Sequence, residues 1–145
     1  MARGYPDFFG NPVFPQYGPF TRTSEGIRDI LAGNDRDFLE IASKGVIYDG
    51  YLRIFSCAAP GDVLVAMTVD GIAINSVGLD VFLRYNLVHE GDFVLTLTEY
   101  NIELSEFIVS IRRGVTFSET FKTTIFNNSA GDISVVSNLL WAHLT

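Results

Sequence analysis

Residues 62–77 read DVLVAMTVDGIAINSV, and this stretch decides the fold. Val63, Val65, Met67 and Val69 fall on one side of an extended chain, and Leu64, Ala66 and Thr68 on the other. That alternation is the period of a strand, whose successive side chains point to opposite faces. Asp70-Gly71 follows, a pair suited to the positive φ values of a tight hairpin turn, and IAINSV resumes beyond it. A helix would need apolar residues three and four apart.

The same period extends in both directions. DFLEIA (37–42) reads as a strand. GVIYDGYLRIFSCA (45–58) reads as two strands with a hairpin turn at Asp49-Gly50, and Pro60-Gly61-Asp62 as a turn. Past the hairpin, GLDVFLRYN (78–86) breaks the alternation. Leu79, Phe82 and Leu83 have helical spacing there, so one short helix or turn is expected. Glu90-Gly91-Asp92 reads as a turn, and FVLTLTEY (93–100) and IELSEFIVSIR (102–112) as a strand and its return, with Asn101 at the bend. VTFSETFKTTIF (115–126) follows Gly114, a polar loop spans 127–132, and ISVVSNLLWAHL (133–144) is the last strand. Strands recurring at such short intervals predict an all-β fold, an antiparallel jelly-roll-like β-sandwich of about eight strands. The sandwich is expected over 36–145, after a linker at 21–35 with a short helix. In that linker Ser24 can cap, Ile27, Ile30 and Leu31 share a face, and Gly33 can end the helix.

Composition bounds the function. The 145 residues suit one domain with a core, and 48% are hydrophobic. Seventeen acids against ten bases give a net charge of −7, which argues against a nucleic-acid partner. The Arg112-Arg113 pair reads as a solvated strand end. No apolar run is long enough for a membrane helix and no secretory leader is recognised, so a cytoplasmic origin is expected. The single cysteine, Cys57, sits in an apolar stretch and reads as a core residue before a nucleophile.

Sites of chemistry are scarce. His89 and His143 have no second His or Cys at ligand spacing, so no metal and no cofactor is expected. No phosphate loop, dinucleotide fingerprint or nucleophile elbow occurs, and no catalytic residue is assigned. Glu99, Glu103 and Glu106 read as a solvated strand face before they read as the carboxylate pair of a glycosidase. Asp62, Asp70, Asp80 and Asp92 could supply oxygen ligands for calcium, but the EF-hand spacing is absent and three of the four adjoin a glycine where turn chemistry already explains them. Asn127-Asn128-Ser129 satisfies the glycosylation pattern, a chance match in a protein without a leader.

The opening stretch, MARGYPDFFGNPVFPQYGPF (1–20), is unlike the remainder. It holds four of the five prolines and six of the nineteen aromatics, with Arg3 and Asp7 as its charges. Proline at this density excludes helix and interrupts ladder pairing, so an extended arm is expected. Such an arm spans up to about 65 Å. Tyr5, Pro6, Phe8, Phe9, Pro12, Phe14, Pro15, Tyr17, Pro19 and Phe20 are its candidate partner-binding residues. So many exposed rings would be a solubility hazard, and the arm is expected to bury them on its own domain or on a neighbouring subunit.

A short acidic β-sandwich behind an arm such as GYPDFFGNPVFPQYGP resembles the small structural proteins of tailed-bacteriophage virions. GVIYDGYLRIFSC followed by VLVAMTVDGIAINSV is similar to the strand pairs of uncharacterised phage β-proteins. The resemblance implies a non-enzymatic capsid decoration (cement) protein, or a neck or tail-attachment protein. It implies localisation in the virion after assembly in the host cytoplasm. Its partners would be copies of itself, as a trimer or ring, and other virion proteins such as the major capsid or neck and tail proteins. A carbohydrate-binding module is the alternative from another class, with Tyr48, Tyr51, Tyr85, Tyr100 or Trp141 stacking on sugars.

Overall fold

Alternating apolar residues become strands throughout the computed structural model, which describes residues 17–89 and 94–144. In chain order the elements are β1 (Tyr17–Ile30), β2 (Asp35–Ile41), β3 (Gly45–Phe55), β4 (Val63–Val69), β5 (Ile72–Gly78) and α1 (Leu79–Arg84). Then come β6 (Leu95–Asn101), β7 (Glu106–Ile111), β8 (Thr116–Phe117), β9 (Phe121–Asn127) and β10 (Ile133–Leu144). One sheet has the order β1-β10-β3-β7-β6, with the two-residue β8 attached to β3, and the other has the order β2-β9-β4-β5.

The pairing is that of one long hairpin rolled up. β1 pairs with β10, β2 with β9, β3 with β7 and β4 with β5, all antiparallel. Rolling adds the β10–β3 and β9–β4 ladders that close each sheet. This nested arrangement is a jelly roll, with β6 and β8 as additions. Its core lies between the sheets: Leu52, Ile54, Val109, Val135 and Leu139 meet Phe38, Val63, Val65, Met67, Phe121 and Ile125 in one buried cluster. The helix α1 packs against the Pro60–Asp62 turn and β4, β5 and β6. Its Leu79 and Phe82 are buried, as their helical spacing predicts.

The 62–77 hairpin forms as read. Asp70 and Gly71 take φ of 52° and 81°, the left-handed values that a two-residue turn between twisted strands requires. The bend near Asn101 falls at residues 102–105, expected to open the return strand, which starts only at Glu106. Asn101 ends β6, and its side-chain oxygen accepts from the Leu104 amide at 3.1 Å. The turn expected at 90–92 lies outside the described residues.

Two expectations are overturned. Residues 21–30 are not helical but belong to β1. Of the three apolar residues that suggested a helix, only Ile30 is buried, and Ile27 and Leu31 are exposed. A two-turn helix has little intrinsic stability. As a strand the segment gains a ladder along β10, and the buried Trp141 donates its indole N–H to Thr23 at 3.0 Å. Gly33 keeps a turn role at φ 81°, but between strands. The boundaries drawn at 20/21 and 35/36 therefore fall inside or beside the sheet, since β1 starts at Tyr17.

Asp49-Gly50 is not a hairpin turn; β3 runs through it unbroken. Ile47 is buried, then Gly50, Leu52 and Ile54. The inward set shifts by one residue because Tyr48 and Asp49 bulge between the partners Trp141 and Leu140. A bulge, like a turn, breaks period two, and the linear sequence does not separate them. Gly50 is needed for packing, because a Cβ there would lie 2.5 Å from Leu139 Cδ1 and 3.1 Å from Ile111 Cδ1.

Polar groups lock the loops. Asp70 accepts from the amides of Ser118, Glu119 and Thr120 at 2.7–3.1 Å, tying the β4–β5 turn to the β8–β9 loop. Asn127 is fully buried and donates to the carbonyls of Ile30 and Gly131, both at 2.9 Å. The amide of the glycosylation pattern is thus engaged in the fold.

Gly50→Ala is expected to lower the unfolding free energy by about 1–3 kcal/mol, an overpacking cost, as read by chemical denaturation. Gly45→Ala should cost more, since its Cβ would meet the Phe117 and Trp141 rings at 2.7 and 2.8 Å and the Ala142 carbonyl oxygen at 2.9 Å. Asp70 predicts a pH dependence. The amides of Ser118, Glu119 and Thr120 hold its carboxyl below its usual 3.8. The stability it supplies is therefore complete above that value and lost as pH falls through the lowered one. Denaturation curves of Asp70→Asn should show lower stability than wild type at neutral pH and a shallower decline below about pH 4.

Candidate functional site: the root of the arm and an aromatic groove

Of the arm residues singled out from the sequence, Tyr5, Pro6, Phe8, Phe9, Pro12, Phe14 and Pro15 lie outside the described residues. Tyr17 and Pro19 fall within β1, and Tyr17 stands opposite Leu144 at the end of the β1–β10 ladder. Because β1 is the outermost strand of its sheet, the first sixteen residues are joined to the molecule at a sheet edge. Phe20, three residues further on, is 57% exposed.

Phe20 pairs across to Ala142, which pairs in turn with Val46. This row brings the ring beside the outer face of β3, where it meets Tyr48 edge-on at 5.3 Å between centroids. Tyr48 is one of the two bulged residues and is 44% exposed. Arg113 completes the cluster, its guanidinium carbon 4.7 Å from the Tyr48 ring centroid and its Nε donating to the Tyr48 carbonyl at 3.2 Å. The chain is pinned here because Gly114, at φ 93°, donates to the Ile47 carbonyl while Ile47 donates to that of Val115, both at 2.8 Å. Together Phe20, Val46, Ile47, Tyr48, Arg113 and Gly114 line an open groove of about 310 Å³.

Arg113 and Tyr48 are 65 residues apart in sequence, so no local signal links them. The reading of Arg112-Arg113 as a solvated strand end omits this stack. Nor did the sequence connect Phe20 with Tyr48, because the reading of 21–35 as a helical linker removed β1 from the sheet.

A second depression of about 450 Å³ runs along β6 and β7, lined by Arg53, Glu99, Tyr100, Leu104, Glu106 and Ile108 among others. Glu106 is bound to Arg53 at 3.2 Å. Glu103 lies in the β6–β7 turn. Among the aromatics proposed for sugar stacking, Tyr85 and Tyr100 are exposed, but Trp141 is buried, which removes it from that set. Asp80 is paired with Arg84 at 2.7 Å, and Asp92 lies outside the described residues. Among the described residues no group of three or more His, Cys, Asp and Glu is arranged to hold a metal ion. No described helix is long and apolar enough to cross a membrane. His143 Nδ1 lies 3.3 Å from Ser43 Oγ and its ring packs on Trp141. Cys57 is buried, and desolvation pushes its thiol up to about 11.

No family model matches the chain, and no curated protein matches it. A solved structure described as a serine protease of Aeromonas sobria aligns with 94% of this chain at 10% identity and a TM-score of 0.35. The chain spans 28% of that structure's length. A likeness this slight carries no argument about either fold or activity.

The raised thiol pKa predicts the behaviour of Cys57. At neutral pH the thiolate fraction is negligible and the sulfur is covered. Native protein is expected to resist a disulfide-exchange reagent over hours, and to react stoichiometrically once unfolded in denaturant.

Proposed function

We propose that the chain is a non-enzymatic structural subunit of a tailed-phage virion, a capsid decoration protein that self-associates as a trimer or ring and is tethered by its N-terminal segment. The observation that carries the reading is the place of that segment. A stretch with four aromatic residues before Gln16-Tyr17 is joined to the outer strand of a jelly roll, beside an open apolar groove.

Two further features support association. Ile72 and Ile74 are exposed on β5, the outer strand of the second sheet, and Tyr100, Ile102 and Leu104 are exposed at the β6–β7 tip. Unblunted apolar edges of this kind favour contact with other chains. Jelly rolls serve as viral capsid and lectin domains alike. Fold alone does not choose between those roles; the aromatic segment and its likeness to phage structural proteins favour the first. Burial is the mechanism. Rings left in water on one subunit are withdrawn from it on a neighbour, and proline limits the entropy lost in ordering the segment.

The structure also sets where to cut. Deleting residues 1–16 leaves all of β1, whereas a cut at 20 removes its first four residues. Full-length protein is expected to sediment as a trimer or larger ring. The 17–145 protein should sediment as a monomer with an unchanged melting temperature. Assembly of the truncated chain to the full-length mass would refute the tether.

A further inference from the structure

The groove and the segment outside the described residues match in chemistry. The groove offers two partly exposed rings, Phe20 and Tyr48, flanking one cation, Arg113. Among the described residues Arg113 forms no ion pair, and its hydrogen bond to the Tyr48 carbonyl uses Nε. Its two terminal amino groups therefore have donors to offer. Within residues 1–16 there is one carboxylate, Asp7, and it sits inside the run Tyr5-Pro6-Asp7-Phe8-Phe9. One arrangement is rings around a cation, and the other is rings around an anion.

Resting on the tether reading above, we propose that the groove lined by Phe20, Tyr48 and Arg113 is the seat of the Tyr5–Phe9 run of a neighbouring copy, with Asp7 on the Arg113 guanidinium. An Arg–carboxylate pair fixes the register of the run, because the planar fork accepts a carboxylate in few orientations. Phe8 or Phe9 then fills the apolar volume, where edge-on ring contacts add to the area buried. A groove of about 310 Å³ suits one or two side chains rather than a whole domain face. The extra copy is favoured over the chain's own segment by direction. β1 is paired with β10 as far as Tyr17, opposite Leu144, so a segment continuing the line of β1 would run away from Phe20. Turning back would lay it along β1, where Pro12 and Pro15 lack the amide donors for a ladder.

The test is a charge exchange read by sedimentation equilibrium of full-length protein, with the 17–145 protein as reference. Asp7→Lys and Arg113→Asp are each expected to weaken self-association by about tenfold or more, the range for truncating one partner of a close interfacial charge pair. The double variant Asp7→Lys/Arg113→Asp should regain most of it, with melting temperatures close to wild type throughout. If removing residues 1–16 abolishes association but the single variants do not weaken it, or the double variant does not recover, the seat is wrong and the tether stands. If the 17–145 protein associates like the full chain, or the full chain is a monomer, the tether itself fails and the seat with it.

Discussion

The fold depends on the double pairing of β10. This strand bonds β1 along one edge and β3 along the other, so the C-terminal segment is an interior strand of its sheet. It also points Ile133, Val135, Leu139 and Trp141 into the core. Nothing of the first sheet is complete without it: β1 has no other partner in the sheet order, and β3 would lose one of its two long ladders. Partners such as Asp29 and Ser134 lie more than a hundred residues apart, so the sheet closes only when the chain ends meet. Pairing of such distant segments carries the loop-closure cost that makes β-sandwiches slow folders. Asn127 and Asp132 reduce that cost locally by fastening the β1–β2 turn to the β9–β10 loop, through Ile30 and Ala32 respectively.

Once β10 is interior, irregularities in its neighbours follow. It alternates strictly from Ile133 to Trp141, so a partner with a break in its own alternation must bulge to keep register. β3 does so at Tyr48–Asp49. β1 shifts register between Glu25 and Arg28 against the same strand. In the other sheet β2 does likewise: Leu39 takes φ 56° and both Phe38 and Leu39 are fully buried, because the irregularity turns two consecutive side chains inward. The β3 bulge has a consequence at the surface. It leaves two consecutive residues, Tyr48 and Asp49, exposed between the buried Ile47 and Gly50, and the Tyr48 ring forms one wall of the groove.

Legibility in the sequence tracks how local each cause is. The Asp70-Gly71 turn, the α1 spacing and the bounds of β10 were readable because each rests on residues within one or two turns of one another. The class of fold was readable because strand period and strand spacing are local as well. β1 was misread because its reasons lie elsewhere: Thr21 and Thr23 sit opposite Trp141 and Leu139, more than a hundred residues away. Gly50 carries a double meaning that sequence cannot resolve, since turns and close approaches both call for glycine. The groove was the least legible of all. Its walls come from β1, β3 and the segment after β7, and only the folded sheet puts them together.

The edge position of β1 bears on why the aromatic segment sits at the N-terminus and not elsewhere. A jelly roll nests its strands, and here β1 lies at one edge of its sheet, with one side unpaired. The polar character of β1 fits the same position, since Arg22, Ser24 and Arg28 face water where an interior strand would carry apolar residues. Phe20 and Ile27 are exposed exceptions to that polarity, and Phe20 stands where Tyr48 and Arg113 already make an aromatic surface. A residue placed only to cap an edge would be charged or proline. Phenylalanine at this point instead extends an apolar surface toward the place where the aromatic segment begins.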